Sequence, residues 1–278
     1  MSSATHTRQS YSGPIVDAHT HLQLPGLTPL RTAKNRGPYR PEDYLRRVAN
    51  YNVRSVAALV IAPRADLPRT RRMNDRVLKL GETSHGRFFP VCSVHPADGE
   101  DAVGEIDRVA RAGARGLKLH PNTQQFDVAD PSVREVVARA TRRRLPVLFD
   151  AYSPFDANQA GKFVQLALQL PKARLILAHA HGPRFPELLV YDVLARYDWW
   201  KRNVWVDVSV AATLFASSPF SEQFVWILRK VGVDRLLFGS DYPLEEPGAA
   251  IRAVTRLGFR RAELSRILYQ NAVGLFGL

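Results

Sequence analysis

Eight short apolar segments recur along the chain, each followed by a longer amphipathic or irregular stretch. Continuous apolar runs are typical of parallel strands buried on both faces, and the intervals between them are long enough for crossover helices. The predicted strands are Ile15–Ala18, Ser55–Ala62, Phe88–Val94, Gly116–His120, Pro146–Asp150, Arg174–His179, Asn203–Val208 and Arg235–Gly239. Eight such units in 278 residues predict an α/β chain that folds as a single-domain (β/α)8 TIM barrel.

The rest of the chain fits one domain without a linker. Residues 1–13 are polar and are expected to form a disordered tail, so that the barrel spans residues 14–278. A long loop rich in Pro, Gly, Arg and Lys follows the first predicted strand, from Leu24 to Tyr39. Long loops after strands are often functional, and this one would place cations such as Arg31 over the end of the barrel.

Composition excludes several classes of protein. The net charge is +13, but the basic runs are short and lack interleaved aromatic residues, so a nucleic-acid partner is not expected. No apolar run reaches the length of a membrane helix or a secretory signal, so no membrane association is expected. A single cysteine, Cys92, fits a reducing compartment, and the cytoplasm is the expected location.

Two histidines follow the first apolar run at alternate positions, in the sequence Asp17-Ala18-His19-Thr20-His21. Alternate residues of a strand share a face, so both imidazoles would point the same way and form half of a metal site. Asp17 has the same parity and is expected to orient or charge-balance the pair. Other predicted strands also end in polar residues, namely His95, Lys118, His120, Asp150, His179, His181, Asp207 and Asp241. In a (β/α)8 barrel these strand ends meet on one rim, where active sites lie.

Four stretches in order resemble the amidohydrolase superfamily, specifically its amidohydrolase-2 branch of metal-dependent hydrolases and decarboxylases. They are Val16–His21, Gly116–Pro121, Ile176–His179 and Leu237–Pro243, and the resemblance extends from about Ile15 to the C-terminus. It implies that His19, His21, His179 and Asp241 hold a divalent metal ion, with zinc preferred and manganese or iron as alternatives. It also implies that Asp241 binds the ion or takes a proton from its water, and that His179 takes part in catalysis.

The chain departs from the family on the fifth strand, where members usually present a metal-binding histidine. Here the segment ends in Asp150, which would act as a further ligand or pair with Lys118 or an arginine. Lys118 is expected to act in catalysis as a positive group toward the substrate. His120 and His181 are expected to contact the substrate, as is Arg31, although His181 could equally bind backbone as a loop residue.

These features predict a hydrolase that attacks an amide, lactone or related carbonyl compound with metal-activated water. The substrate is expected to be small and carboxylated, because Lys118 and the cationic loop would attract an anion. One alternative is a metal-dependent decarboxylase or hydratase with the same ligands. Another is a barrel that has lost catalysis and only binds, and the assembly could be a homodimer.

Overall fold

The computed structural model describes residues 11–27, 37 and 39–278, so the predicted loop residue Arg31 lies outside the described residues, as does most of the predicted tail. Eight parallel strands form one sheet in the order of the chain. They are β1 (Ile15–Asp17), β2 (Val53–Leu59), β3 (Phe88–Ser93), β4 (Gly116–Leu119), β5 (Val147–Asp150), β6 (Leu175–Ala178), β7 (Val204–Asp207) and β8 (Leu236–Leu237). The predicted α/β class and parallel order are confirmed.

Helices follow the strands as the amphipathic segments predicted. The α-helices are α1 (Pro41–Arg47), α2 (Leu67–Thr83), α3 (Glu100–Arg111), α4 (Pro121–Gln124), α5 (Pro131–Arg142), α6 (Gln159–Gln169), α7 (Leu189–Leu194), α8 (Ala211–Phe215), α9 (Ser221–Val231), α10 (Pro247–Arg256), α11 (Arg261–Ser265) and α12 (Asn271–Phe276). Short 3₁₀ segments span Pro96–Asp98 and Val233–Arg235, a kinked segment with 3₁₀ turns spans His179–Leu188, and a π-helical turn spans Arg266–Gln270. No helix within the described residues is long and apolar enough to cross a membrane.

Backbone hydrogen bonds join the residues after β1 to those after β8. The amide of Ala18 donates to the carbonyl of Phe238 at 2.9 Å, and the amide of Asp241 donates to the carbonyl of His19 at 2.8 Å. The first and last strands are therefore neighbours, as the closure of an eight-stranded barrel requires. This contact brings the end of β1 against the end of β8, where the predicted metal ligands lie.

An apolar layer fills the inside of the sheet. Val16, Phe89 and Ile176 belong to this layer, and the last helix contributes Phe276 to it. The ring of Phe276 packs against that of Phe89, with centroids 5.0 Å apart. Truncating Phe276 to alanine would cost about 3–5 kcal/mol, because the cavity would open inside the barrel. This packing occupies the end of the sheet near α12 and leaves the opposite rim for polar residues.

Strand β6 ends earlier than predicted, because the chain leaves the extended conformation at His179. His179, Ala180 and His181 all have positive φ angles, of 63°, 47° and 59°. The strand does not continue through His181, so strand alternation does not place its side chain on the same face as that of His179. The turn directs the two imidazoles to different surroundings.

Candidate metal centre

Three side chains from the first and last strands of the sheet converge on one point. His19 and His21 follow β1, and Asp241 follows β8. The Nε2 atoms of His19 and His21 each lie 3.3 Å from Oδ1 of Asp241. One ligand atom from each residue lies within 4.8 Å of the other two. His19 is completely buried and Asp241 nearly so.

The chemistry and spacing of this triad fit a divalent metal ion. Two ligands that each lie about 2.1 Å from a tetrahedral ion are separated by roughly 3.4 Å, close to the distances found here. Burial, reinforced by the charge of Lys118, holds the pKa of His19 well below its ordinary value, so the imidazole is neutral as a ligand must be. Although burial opposes it, the nearby imidazoles keep the pKa of Asp241 below its ordinary value, so the carboxylate is ionised.

The orientation of His19 is set by Asp207, at the end of β7. The Nδ1 atom of His19 lies 2.7 Å from Oδ2 of Asp207, so the ring donates its Nδ1 proton to the carboxylate. Ser209 donates to the same carboxylate from its hydroxyl and from its backbone amide, both at 2.8 Å. A carboxylate that accepts the Nδ1 proton leaves the lone pair of Nε2 for a metal ion.

The orienting role expected of Asp17 beside the histidines stays a prediction. Its carboxylate accepts hydrogen bonds from the Tyr44 hydroxyl at 2.7 Å, the Ser240 amide at 2.9 Å and the backbone amide of His19 at 3.2 Å. Burial raises the pKa of Asp17 to about 6, although these hydrogen bonds act to lower it. Strand β1 ends at Asp17, so the alternation used to group it with the histidines does not extend beyond it. Asp17 joins β1 to α1 and to the segment after β8.

Asp150 pairs with His179 beside the triad. The Oδ2 atom of Asp150 lies 3.2 Å from Nε2 of His179. Burial disfavours charge on both groups, but their mutual interaction is stronger. It raises the pKa of His179 to about 9 and holds that of Asp150 well below its ordinary value. His179 is therefore an imidazolium in this arrangement, and its Nδ1 atom lies 3.1 Å from Oγ of Ser209.

His120 faces the same carboxylate from the end of β4. Its Nε2 atom lies 3.4 Å from Oδ2 of Asp150, and its Nδ1 atom accepts the amide proton of Thr123 at 3.4 Å. Burial lowers the pKa of His120 to about 4, so the ring is neutral and carries its proton on Nε2. Asp150 thus lies between two imidazoles, and the expected ligation of a metal ion by Asp150 and by His179 stays a prediction.

Lys118 projects from β4 into the centre of the cluster and is completely buried. Its Nζ atom lies 3.2 Å from Nε2 of His19. Burial lowers the pKa of Lys118, whereas the carboxylates of Asp150 and Asp241 oppose this effect. Lys118 thus contacts the same nitrogen of His19 that would bind a metal ion, and its role as a positive group toward the substrate stays a prediction.

His181 lies outside the cluster that the other predicted residues form. Its Nδ1 atom is 2.7 Å from the carbonyl oxygen of Ala151, and its ring packs near that of Phe163. These contacts support the local fold after β5, and a contact of His181 with substrate stays a prediction.

An open cavity of about 430 Å³ adjoins the triad at His21. Its apolar wall includes Leu22, Leu59 and Met73, and two arginines line it as well, Arg64 and Arg69. The size is in the range of small-molecule sites, and an apolar wall with a few polar groups is typical of them.

Comparisons with known proteins show the family to which the chain belongs. The amidohydrolase family matches residues 16–278, so the chain belongs to that family. No curated protein matches the chain. The family's members are metal-dependent hydrolases and decarboxylases, which identifies the chain as an enzyme of this class.

Solved structures with the same fold cover nearly the whole chain. A 5-carboxyvanillate decarboxylase from Sphingomonas paucimobilis is 14% identical, with a TM-score of 0.71, over 95% of this chain and 99% of that one. A probable 2-pyrone-4,6-dicarboxylic acid hydrolase from Acinetobacter baumannii is 17% identical, with a TM-score of 0.67, over 95% and 99%. A 5-carboxyvanillate decarboxylase from Novosphingobium aromaticivorans, with bound manganese, is 16% identical, with a TM-score of 0.68, over 96% and 97%.

The sequence alone does not reveal the positioning groups. It indicates Asp207 only as a polar residue at a strand end, and nothing in it distinguishes Ser209. The position of Asp207 at the end of β7 was the available signal. Its contact with His19 depends on closure of the barrel, which no local pattern reveals.

Proposed function

We propose that residues 14–278 form a single barrel domain that acts as a metal-dependent hydrolase on a small carboxylated substrate. The observation that carries the proposal is the convergence of His19, His21 and Asp241, with Nε2 to Oδ1 distances of 3.3 Å. Zinc is the preferred ion for two imidazoles and a carboxylate, and manganese or iron suits the same donors.

The bound ion would lower the pKa of a water molecule and polarise the carbonyl group of the substrate. Asp241 is almost completely buried, and the neighbouring imidazoles keep its pKa below the ordinary value although burial opposes them, so the carboxylate is ionised. It would accept the proton that the attacking water loses, while His19 and His21 stay neutral as ligands. Asp207 would hold His19 in the required tautomer.

His179 and Asp150 would supply the second proton transfer. The imidazolium of His179 would donate a proton to the leaving group as the bond to the carbonyl carbon breaks. Asp150 stabilises this charge through its contact with His179 at 3.2 Å. Lys118, buried beside His19, would balance the negative charge that develops on the substrate.

Decarboxylation is the second candidate, supported by the same His179–Asp150 pair. The pair holds a proton next to the triad, and a proton must replace carbon dioxide on the carbon that loses it. Two of the solved structures with this fold are decarboxylases, and a third is a probable hydrolase. Both reactions place a carboxylated substrate at the same rim.

Product analysis separates the candidates. Zinc- or manganese-loaded protein is incubated in ¹⁸O-labelled water with 2-pyrone-4,6-dicarboxylate and 5-carboxyvanillate, and with simple lactones. Incorporation of ¹⁸O that requires Asp241 supports hydrolysis, whereas carbon dioxide without ¹⁸O in the organic product supports decarboxylation. If all substrates bind but none is turned over, the barrel serves binding alone and the proposal is wrong.

A further inference from the structure

The cavity beside His21 is lined by two arginines that the metal chemistry does not use. Arg64 lies in the loop after β2 and Arg69 in the first turns of α2, and both line the cavity. Both side chains are exposed, and neither forms an ion pair within the described part of the chain. Two arginines that line a substrate-sized cavity without ion-pair partners are matched to an anionic group.

The backbone that carries these arginines is held by several hydrogen bonds. The amide of Ala62 donates to Oγ of Ser93 at 3.0 Å, and the amide of Ala65 donates to Oδ1 of Asp98 at 2.9 Å. Ala65 has a φ of 55°, a conformation that a non-glycine residue adopts only when its surroundings hold it there. The loop is therefore preorganised rather than a mobile surface segment.

Two acidic residues, Asp66 and Asp98, lie near the arginines, but their carboxylates bind backbone amides. Asp66 accepts the backbone amide of Arg69 at 2.9 Å and so begins α2, and Asp98 accepts that of Ala65. Their carboxylates bind main chain and leave both guanidinium groups for a ligand. The remaining wall contains Leu59, Ile61 and Met73, which suit a flat apolar body.

We propose that Arg64 and Arg69 bind a second carboxylate of the substrate, so that the enzyme selects dicarboxylates with a rigid apolar body. This inference rests on the proposed function for the location of the first, reacting group at the His19–His21–Asp241 triad. It assigns specificity to the loop after β2 and to the first turn of α2.

The test measures binding of two probes by calorimetry, at low salt because exposed charges are screened. The probes are benzene-1,3-dicarboxylate and benzoate, titrated into the metal-loaded and the metal-free protein. The variants are the Arg64→Ala/Arg69→Ala double variant and Arg72→Ala, an exposed arginine of α2 outside the cavity. The native protein and Arg72→Ala should bind the dicarboxylate about tenfold more tightly than benzoate, whereas the double variant should bind both alike.

Three results would overturn the proposal: equal affinities for both probes in the native protein, an unchanged ratio in the double variant, or no binding of either probe up to about 10 mM. An additional Arg69→Lys variant should keep part of the preference, since charge remains but the planar fork is lost. The ratio of the two affinities depends on the arginines and not on turnover. A protein that retains this ratio but lacks metal or activity would contradict the proposed function alone.

Discussion

The Nδ1 atom of His19 lies 2.7 Å from Oδ2 of Asp207, although the two residues are 188 positions apart in the chain. The carboxylate of Asp207 also accepts hydrogen bonds from the backbone amide and the hydroxyl of Ser209. A carboxylate satisfied in this way cannot rotate, so it fixes the ring of His19 with Nε2 directed at Asp241. The predicted metal site thus depends on a residue that is not itself a ligand.

Replacing Asp207 by asparagine should weaken metal binding roughly 10- to 100-fold. The amide group of asparagine cannot accept all three hydrogen bonds, and its NH₂ group would favour the wrong tautomer of His19. The measurement is competition for zinc with a chromophoric chelator. Asp234→Asn is the control, because Asp234 pairs with Arg202 and lies outside the cluster. Equal zinc affinity in the Asp207 variant and the control would contradict the role of Asp207.

Gly239 makes the close approach of β1 and β8 possible. A Cβ atom at this position would lie 2.6 Å from Cβ of His19 and 2.7 Å from Oδ1 of Asp207. Gly239→Ala should therefore destabilise the fold by about 1–3 kcal/mol and displace His19, with loss of metal binding. The control is Gly104→Ala in α3, where a Cβ meets nothing within 4 Å and helix propensity predicts a gain of about 0.5–1 kcal/mol. Urea unfolding of both variants checks the opposite signs.

Asp150→Asn should lower the pKa of His179 in the metal-free protein. The native value of about 9 requires the hydrogen bond and charge of Asp150 to overcome burial, and the amide supplies no charge. Imidazole ¹⁵N chemical shifts followed from pH 5 to pH 10 measure the change. A pKa that stays the same after the substitution would show that Asp150 does not control the charge of His179.

The same pair predicts a dependence of stability on pH. The folded pKa of His179 is above its unfolded value of 6.5, so protonation stabilises the folded state. This contribution is complete below about pH 6.5 and is lost as the pH rises through about 9. As the pH rises from about 6.5 to about 9, the difference in unfolding free energy between the native protein and Asp150→Asn should therefore become smaller. A constant difference would exclude the linkage.

Glu263 should stabilise the chain at neutral pH through its contacts with Arg229. The Nε atom of Arg229 donates to Oε1 of Glu263 at 3.0 Å, and its Nη2 atom donates to Oε2 at 2.9 Å. These hydrogen bonds, together with those from Arg260, lower the pKa of Glu263 to about 2. A lowered carboxylate pKa contributes stability above the unfolded value of 4.5, and this is lost as the pH falls toward 2. Glu263→Gln should cost about 1–2 kcal/mol at pH 7 and much less near pH 2.5.

The control for that substitution is Glu82→Gln. Glu82 pairs with Lys79 on the surface at 2.9 Å, with both side chains largely exposed, so its loss should cost under about 0.5 kcal/mol. Thermal unfolding at the two pH values compares the variants. Equal costs for both substitutions would contradict the role of the Arg229 contact.

The order and direction of the strands could be predicted because each strand is a continuous apolar run. The residues at which the strands end could not be predicted in the same way, as β6 shows. The predicted strand continued to His179, but the backbone turns there with a φ of 63°. Hydrophobicity sets which residues are buried, whereas the turn depends on packing around His179 that only the folded chain provides.

The site was predicted in part for a related reason. His19 and His21 are separated by one residue in the sequence, so their convergence could be inferred locally. The Asp150–His179 contact and the contact of Asp207 with His19 form between different strands, and the sequence offered only their positions at strand ends. Arg31, expected to bind substrate, lies outside the described residues, and the arginines found beside the cavity are Arg64 and Arg69.

The most direct test of the central claim is the metal content of protein purified without chelator and without nickel. The account predicts about one zinc, manganese or iron ion per chain, and the loss of that ion in the His19→Ala/His21→Ala variant. Folding of the variant is verified by circular dichroism. Absence of bound metal in the native protein, even after incubation with these ions, would contradict the assignment of His19, His21 and Asp241 as a metal centre.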